Sequence, residues 1–176
     1  MATPLTGAAK MSARRLRPQP LTREAFAPYG DVIVADAGSE HFTINYGQTE
    51  RYHNLATVDV AESDGAPIIS LFRSTPLAQP VSLRIMERHP LGSQAFYPLS
   101  PRPYLVVVAP PGDFDADKVE VFLAQPGQGV NYRKGVWHHY CLALEDVSDF
   151  LVVDRKGPGN NCDEVELPDA PWTIDL

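Results

Sequence analysis

Cysteine is nearly absent. Cys141 and Cys162 are the only two in 176 residues, and no CxxC spacing occurs. That counts against a disulfide framework or a thiolate zinc site, and both are read as unpaired thiols. Long regular runs are missing too. No apolar stretch approaches the roughly 20 residues that a membrane-spanning helix needs, and no helical period persists for about 15 residues. Acidic residues are missing from the first 23 positions, which hold Lys10, Arg14, Arg15, Arg17 and Arg23. Those are 5 of the 15 basic residues, so the remainder sets 10 basic against 22 acidic groups, a balance of −12. An acidic body argues against a nucleic-acid partner. The basic lead is short and weakly amphipathic, and residues 1–20 are expected to be a flexible tail rather than a transit peptide. With neither a secretory apolar core nor a membrane span, a cytoplasmic location is expected.

What is present is punctuation. Seventeen prolines and 12 glycines cut the chain into short pieces. Thr22 can cap a short helix through REAFAPY that ends at Gly30. After it come about ten strand-like segments: DVIVA, HFTINY, LATVDV, PIISLFR, VSLRIMERH, QAFYPL, YLVVVA, KVEVFLA, VWHHYCLAL and SDFLVVD. Turn sequences such as SDGAP, HPLGS, APPGD and QPGQG separate them. Short strands at this spacing describe a sandwich or small barrel and exclude helical bundles and doubly wound sheets. Residues 21–176 are expected to form one domain, since the length allows one substantial core.

Two segments carry candidate chemistry. In VSLRIMERH one parity reads Val81, Leu83, Ile85, Glu87, His89, apolar and then abruptly polar, while Ser82, Arg84, Met86 and Arg88 look solvated. Glu87 and His89 are either functional groups at the mouth of a barrel or residues emerging at a rim. In VWHHYCLAL, Val136, His138, Tyr140 and Leu142 share one face, and Trp137, His139, Cys141 and Ala143 the other. Alternation means that His138 and His139 cannot point the same way, but parity alone does not say which faces inward.

Spacing offers a resemblance. Gly127, Arg133, Gly135, His138 and Leu142 fall on the places of the second cupin motif, and Glu87, His89 and Gln94 on those of the first. Longer blocks, FAPYGDVI, INYGQTERYHNLA, ERHPLGSQAFYPL, GVNYRKGVWHH and DFLVVDRKGPGNNCD, resemble the ureidoglycolate lyase family, formerly called hydrolases, from about Leu21 to Asp163. The resemblance implies an all-β, cupin-type (double-stranded β-helix or jelly-roll) barrel with a short N-terminal helix. It also implies a homodimer that splits (S)-ureidoglycolate into glyoxylate and urea in allantoin and purine catabolism. Carried over by position, Glu87, His89, Gln94 and His138 are the metal-ligand places, suited to nickel first and manganese or iron next. With glutamine in place of the usual glutamate and a glutamate in place of a histidine, an all-protein polar site stays the alternative. No organic cofactor is expected.

Ureidoglycolate is a carbinolamine, so its cleavage needs a group to hold the carboxylate, a proton acceptor and a proton donor. His138, His89, Glu87 and Lys134 are the catalytic candidates. Arg51, His53, Arg73, Trp137 and Asp154 are the substrate-binding candidates, the guanidinium forks suiting a carboxylate. Asp149, Asp154 and Arg155 can support either site or fold. Phe122 and Trp137, read on an outward face, suggest a subunit contact. Rival readings are another metal-dependent cupin enzyme, which would want a fuller histidine set, and a non-catalytic cupin that binds a small acid.

Overall fold

The computed structural model describes residues 13–167 and 172–176. Its strands form three stacked sheets and one separate hairpin. A central sheet runs, in lateral order, Asp163–Glu166, Ile85–Arg88, Trp137–His138, Tyr104–Ala109, Glu120–Ala124 and Gln19–Pro20, with Leu142–Ala143 also beside Tyr104–Ala109. An inner sheet of Gly30–Ile33, Gly129–Tyr132, Gln94–Pro98, Ser148–Lys156 and Ala66–Ser74 faces one side of it. A three-stranded outer sheet, Arg14–Leu16, Trp172–Ile174 and Val81–Leu83, covers the other. This is the expected all-β, cupin-type arrangement, with an α-helical turn at Arg23–Phe26 and short 3-10 turns at Asn45–Gly47, Glu62–Asp64 and Ala116–Lys118.

Layering explains the most apolar segment. YLVVVA is buried along its whole length because both of its faces are covered. Leu105, Val107 and Ala109 enter a core with Val81, Met86, Trp137 and Trp172; Tyr104, Val106 and Val108 enter a second with Phe96, Phe122, Tyr132 and Phe150. Edge-to-face pairs such as Tyr104–Phe150 and Phe26–Phe122 knit the second core. Thr22 caps the helical turn as expected, its Oγ1 accepting from the Ala25 N–H at 3.2 Å. Gly30 is required next: its φ is +152°, and a Cβ there would collide with the Asn131 carbonyl.

Several expectations need correction. Of the segment read as a tail, Arg14–Leu16 and Gln19–Pro20 are strands, and Leu16 is a core residue; residues 1–12 lie outside the described residues. LATVDV is not a strand; it is an extended segment tied down by Asp59 and Ser93, which exchange bonds through Asp59 N–H to Ser93 Oγ and Ser93 N–H to Asp59 O. Phe122 and Trp137 are no outward patch: they are core residues on opposite faces of the central sheet.

VSLRIMERH is two strands, not one. The chain leaves the outer sheet at Arg84 and enters the central sheet, so the parity resets. Met86, expected in solvent, joins Val81 and Leu83 in the first core, and Glu87 and His89 turn to the other face. A second reset occurs in VWHHYCLAL. His138 pairs with Val108 and Leu142 with Leu105, so four steps on one strand match three on its neighbour. That extra residue is a bulge, and it places Leu142 in the first core while His138 stacks against the second. Among the described residues, no helix is long and apolar enough to cross a membrane.

Candidate active site

Glu87 lies directly opposite His138 in antiparallel register and has Glu164 on its other flank. Residues opposite one another share a face, here the one turned toward the inner sheet. Tyr132 of that sheet stacks on the His138 imidazole, with ring centres 4.2 Å apart and planes 1° from parallel. His89, two residues beyond Glu87, returns to the same side, its ring 5.1 Å from that of His138. Glu87 Oε1 is 3.8 Å from His138 Nδ1 and 4.0 Å from His89 Nε2. Gln94 is the register partner of Tyr132, and its Nε2 donates to Asp154 Oδ2 at 3.2 Å.

Hydrogen bonds set the tautomers. His89 Nδ1 is 2.7 Å from the Asn161 carbonyl, and His138 Nδ1 is 3.2 Å from the His139 carbonyl. A carbonyl accepts only, so both rings carry hydrogen on Nδ1, and the neutral His138 ring keeps its lone pair on Nε2. Among the described residues neither Nε2 has a partner, and neither do Gln94 Oε1 and Asp154 Oδ1, although all four atoms are buried. Buried polar atoms are nearly always satisfied. Four orphans in one neighbourhood describe a place built for something the chain does not supply.

Burial governs the charges. It pushes the His138 pKa down to about 3, with His89 adding to the effect, so this imidazole is neutral near pH 7. Burial lifts the Glu87 carboxyl above its ordinary value; His89 opposes this and Glu164 reinforces it. Cys162, whose Sγ is 4.0 Å from Glu87 Oε2, is pushed up to about 11 by burial and then by Glu87, Glu164 and Asp163. It is a thiol near neutral pH, not a thiolate.

Glu87, His89 and His138 present ligand atoms within 4.8 Å of one another, so they can hold a metal ion; Glu87, Cys162 and Glu164 form a second such group. The first set, two imidazole nitrogens and a carboxylate with the Gln94 amide oxygen nearby, suits a borderline divalent ion.

The other expected residues separate. Asp154 is at the site. Lys134 is beside it, but its ammonium is held by Asp59 at 3.1 Å and Glu62 at 3.0 Å, which raise its pKa and keep it charged. It is therefore corrected from a proton carrier to a structural charge. Trp137 points into the opposite core, where its Nε1 donates to Gly112 O, so it is not a substrate contact. Arg73 forms a fork with Asp149 on an exposed strand. Arg51 and His53 belong to the hairpin His41–Tyr52 and its base, His53 packing on Phe42. His139 is buried, and its Nε2 accepts the Arg84 N–H at 3.4 Å where that strand breaks.

Sequence reasoning missed Tyr132 and Asn161. Alternation from the apolar Val130 would have turned Tyr132 inward. Asn161 sits in a loop, where periodicity says nothing, yet it anchors His89 through its carbonyl and Leu91 N–H through its Oδ1.

Comparison with known proteins gives one answer. The family described as ureidoglycolate lyase matches residues 13–175. A ureidoglycolate lyase of Burkholderia cepacia is 56% identical over 162 residues, covering 92% of this chain and 90% of that protein. One from Pseudomonas entomophila is 56% identical, covering 92% and 96%. One from Pseudomonas aeruginosa is 57% identical over 152 residues, covering 86% and 89%.

Proposed function

Because the chain belongs to the ureidoglycolate lyase family, we propose that its Glu87–His89–His138 cluster, with Gln94 and Asp154, is where (S)-ureidoglycolate is split into glyoxylate and urea. The observation that carries this placement is the set of unpartnered buried atoms, His89 Nε2, His138 Nε2, Gln94 Oε1 and Asp154 Oδ1.

Cleavage needs no water. The substrate's hydroxyl proton goes to a base, its oxygen becomes the glyoxylate carbonyl, the C–N bond breaks, and a proton returns to nitrogen as urea leaves. Asp154 presents a buried carboxylate oxygen without a partner among the described residues, so we assign it both transfers, accepting from the hydroxyl and returning to nitrogen. Gln94 orients it through their 3.2 Å bond. His138, held neutral by burial and flat against Tyr132, keeps its lone pair aimed without taking the proton. Glu87, His89, Gln94 and His138 would hold a divalent ion, nickel first and manganese or iron next. Such an ion polarises a hydroxyl and lowers its pKa. No organic cofactor is needed for this chemistry, and a soluble cytoplasmic homodimer acting in purine catabolism is the setting we infer.

Two measurements test this reading. Purified protein given (S)-ureidoglycolate should release urea and glyoxylate in equal amounts. Ammonia and carbon dioxide in place of urea would mean an amidohydrolase, and no turnover would favour a small-acid-binding protein. Chelator-treated protein should lose activity and recover it with one divalent ion, and the same ion should raise the melting temperature of wild type but not of Glu87→Ala. Full activity in demonstrably metal-free protein would leave the chemistry to side chains alone.

A further inference from the structure

Two features of this chain have no partner among its described residues. Among the described residues the hairpin His41–Ile44 with Thr49–Tyr52 pairs only with itself, its strands are almost wholly exposed, and Tyr46 at its tip is entirely so. An isolated two-stranded hairpin is marginal in water. Ala66–Ser74 is likewise an edge strand of nine residues. On the outer face of its sheet it presents Ile69 and Leu71, 74% and 69% exposed, with Leu151 and Tyr97 alongside in register. A long apolar edge of this kind invites a partner.

The charges at the site leave a gap. The substrate is an anion, yet the site contributes the carboxylates of Glu87 and Asp154 and a neutral His138. A divalent ion would already face those two carboxylates, so a further cation would serve the substrate's carboxylate. The nearby cations are committed: Lys134 to Asp59 and Glu62, Arg155 to the Glu62, Ser63 and Pro158 carbonyls, and Arg88 to Asp163 and the Gly112 carbonyl. Arg51 differs. It stands on the hairpin over the Phe42 ring and has no acidic partner among the described residues.

We propose that the hairpin is an arm that docks on the inner sheet's exposed face in a second copy of this chain and delivers Arg51 to that copy's site. A second copy is the fitting occupant because both unpartnered surfaces lie on one chain. Two-fold pairing covers both at once, each arm on the other's sheet. The route is short, since Ile68 of the edge strand is the register partner of Asp154. A side chain that rounds this edge therefore meets the Asp154–Gln94 end of the site. There a guanidinium can take the carboxylate by two parallel hydrogen bonds. The inference rests on the lyase reading for the role of Arg51, but not for the docking.

Mixed dimers provide the test. Arg51→Ala should raise KM about 10–100-fold, as loss of a charged hydrogen-bonding partner does, with Arg51→Lys in between. His138→Ala should be inactive. Unfolded and refolded together, the two should regain about a quarter of the wild-type kcat/KM, because about half the dimers are mixed and each holds one complete site. Mixed dimers, verified by mass, whose kcat/KM is no higher than that of either parent would overturn the proposal, as would an unchanged KM in Arg51→Ala. Light scattering tests docking without reference to activity. Wild type should be a dimer and Ile69→Lys/Leu71→Lys a monomer. A monomeric wild type would overturn the arm, whereas a dimer that forms no urea would count against the lyase reading alone.

Discussion

Alanine at His138 should reduce turnover at least ~100-fold, the loss typical of a positioned acid–base or ligand group, while alanine at His139 should leave turnover within about a few-fold. The two residues are adjacent, so the contrast isolates orientation. His138 keeps a buried Nε2 without a hydrogen-bond partner among the described residues, lies with its Nδ1 3.8 Å from Glu87 Oε1, and stacks on Tyr132. His139 turns away and serves the fold, accepting the Arg84 N–H where the chain passes between sheets. Its loss leaves that N–H without a partner and should cost about 1–2 kcal/mol. Paired kinetics and thermal melts decide the matter. An inactive His139→Ala beside a working His138→Ala would place the site on the wrong face of the strand.

The pH dependence of His139 gives the sign independently. Burial lowers its pKa to about 4 from the ordinary 6.5. The unfolded chain therefore binds a proton that the folded one refuses between those values. The stability from keeping the ring neutral is fully present above pH 6.5 and is lost as pH falls toward 4, at about 1.4 kcal/mol per pH unit at most. Wild-type melting temperature should therefore fall more steeply than that of His139→Ala across this window. Parallel curves would contradict the assignment.

Arg155→Met should destabilise the fold more than any of the preceding variants. Arg155 is 8% exposed, and its Nε and Nη2 donate at 2.9–3.2 Å to the carbonyls of Glu62, Ser63 and Pro158. Gly65, Gly92 and Gly157 let the backbone close on this side chain: a Cβ at Gly65 or Gly157 would run into the guanidinium, and one at Gly92 into the aliphatic stem. Methionine keeps the bulk but strands those carbonyls. Partial access of water to the 62–65 turn limits the cost to about 3 kcal/mol, or a fall of roughly 6–12 °C in Tm for a chain of this size. Arg155→Lys should fall between, having the charge without the fork. A Tm within about 2 °C of wild type for Arg155→Met would show that the turn holds without it.

How much of this was legible beforehand depends on the range of the physics involved. Glycine and proline punctuation, period-two alternation and the Thr22 cap act over a few residues, and they foretold an all-β chain and most of its strands. Motif spacing likewise brought Glu87, His89, Gln94 and His138 together. The face reached by Glu87 and His89 was foretold from a continuous strand that does not exist. Strict alternation from Val81 fails at Arg84, where the chain changes sheets, and again between His138 and Leu142, where a bulge adds a residue. Neither break leaves a local mark, because each is set by which neighbour the strand pairs with.

The same division holds for single side chains. Composition and spacing by themselves determined the strand-rich fold class, the family resemblance and the candidate ligands, since these depend on residue type and short-range order. Only the tertiary structure decided what each charged group is free to do. Arg155, Lys134 and Arg73 look alike as candidates, but one is enclosed by carbonyls, one is neutralised by Asp59 and Glu62, and one is paired with Asp149. Arg51 alone among the candidate cations is left without such a partner among the described residues. Lys134 and Glu62 are 72 positions apart in sequence, Arg73 and Asp149 76, and Arg155 and Glu62 93. Whether a cation is available to a substrate is fixed by such distant neighbours, through distance and desolvation, and folding alone brings them together.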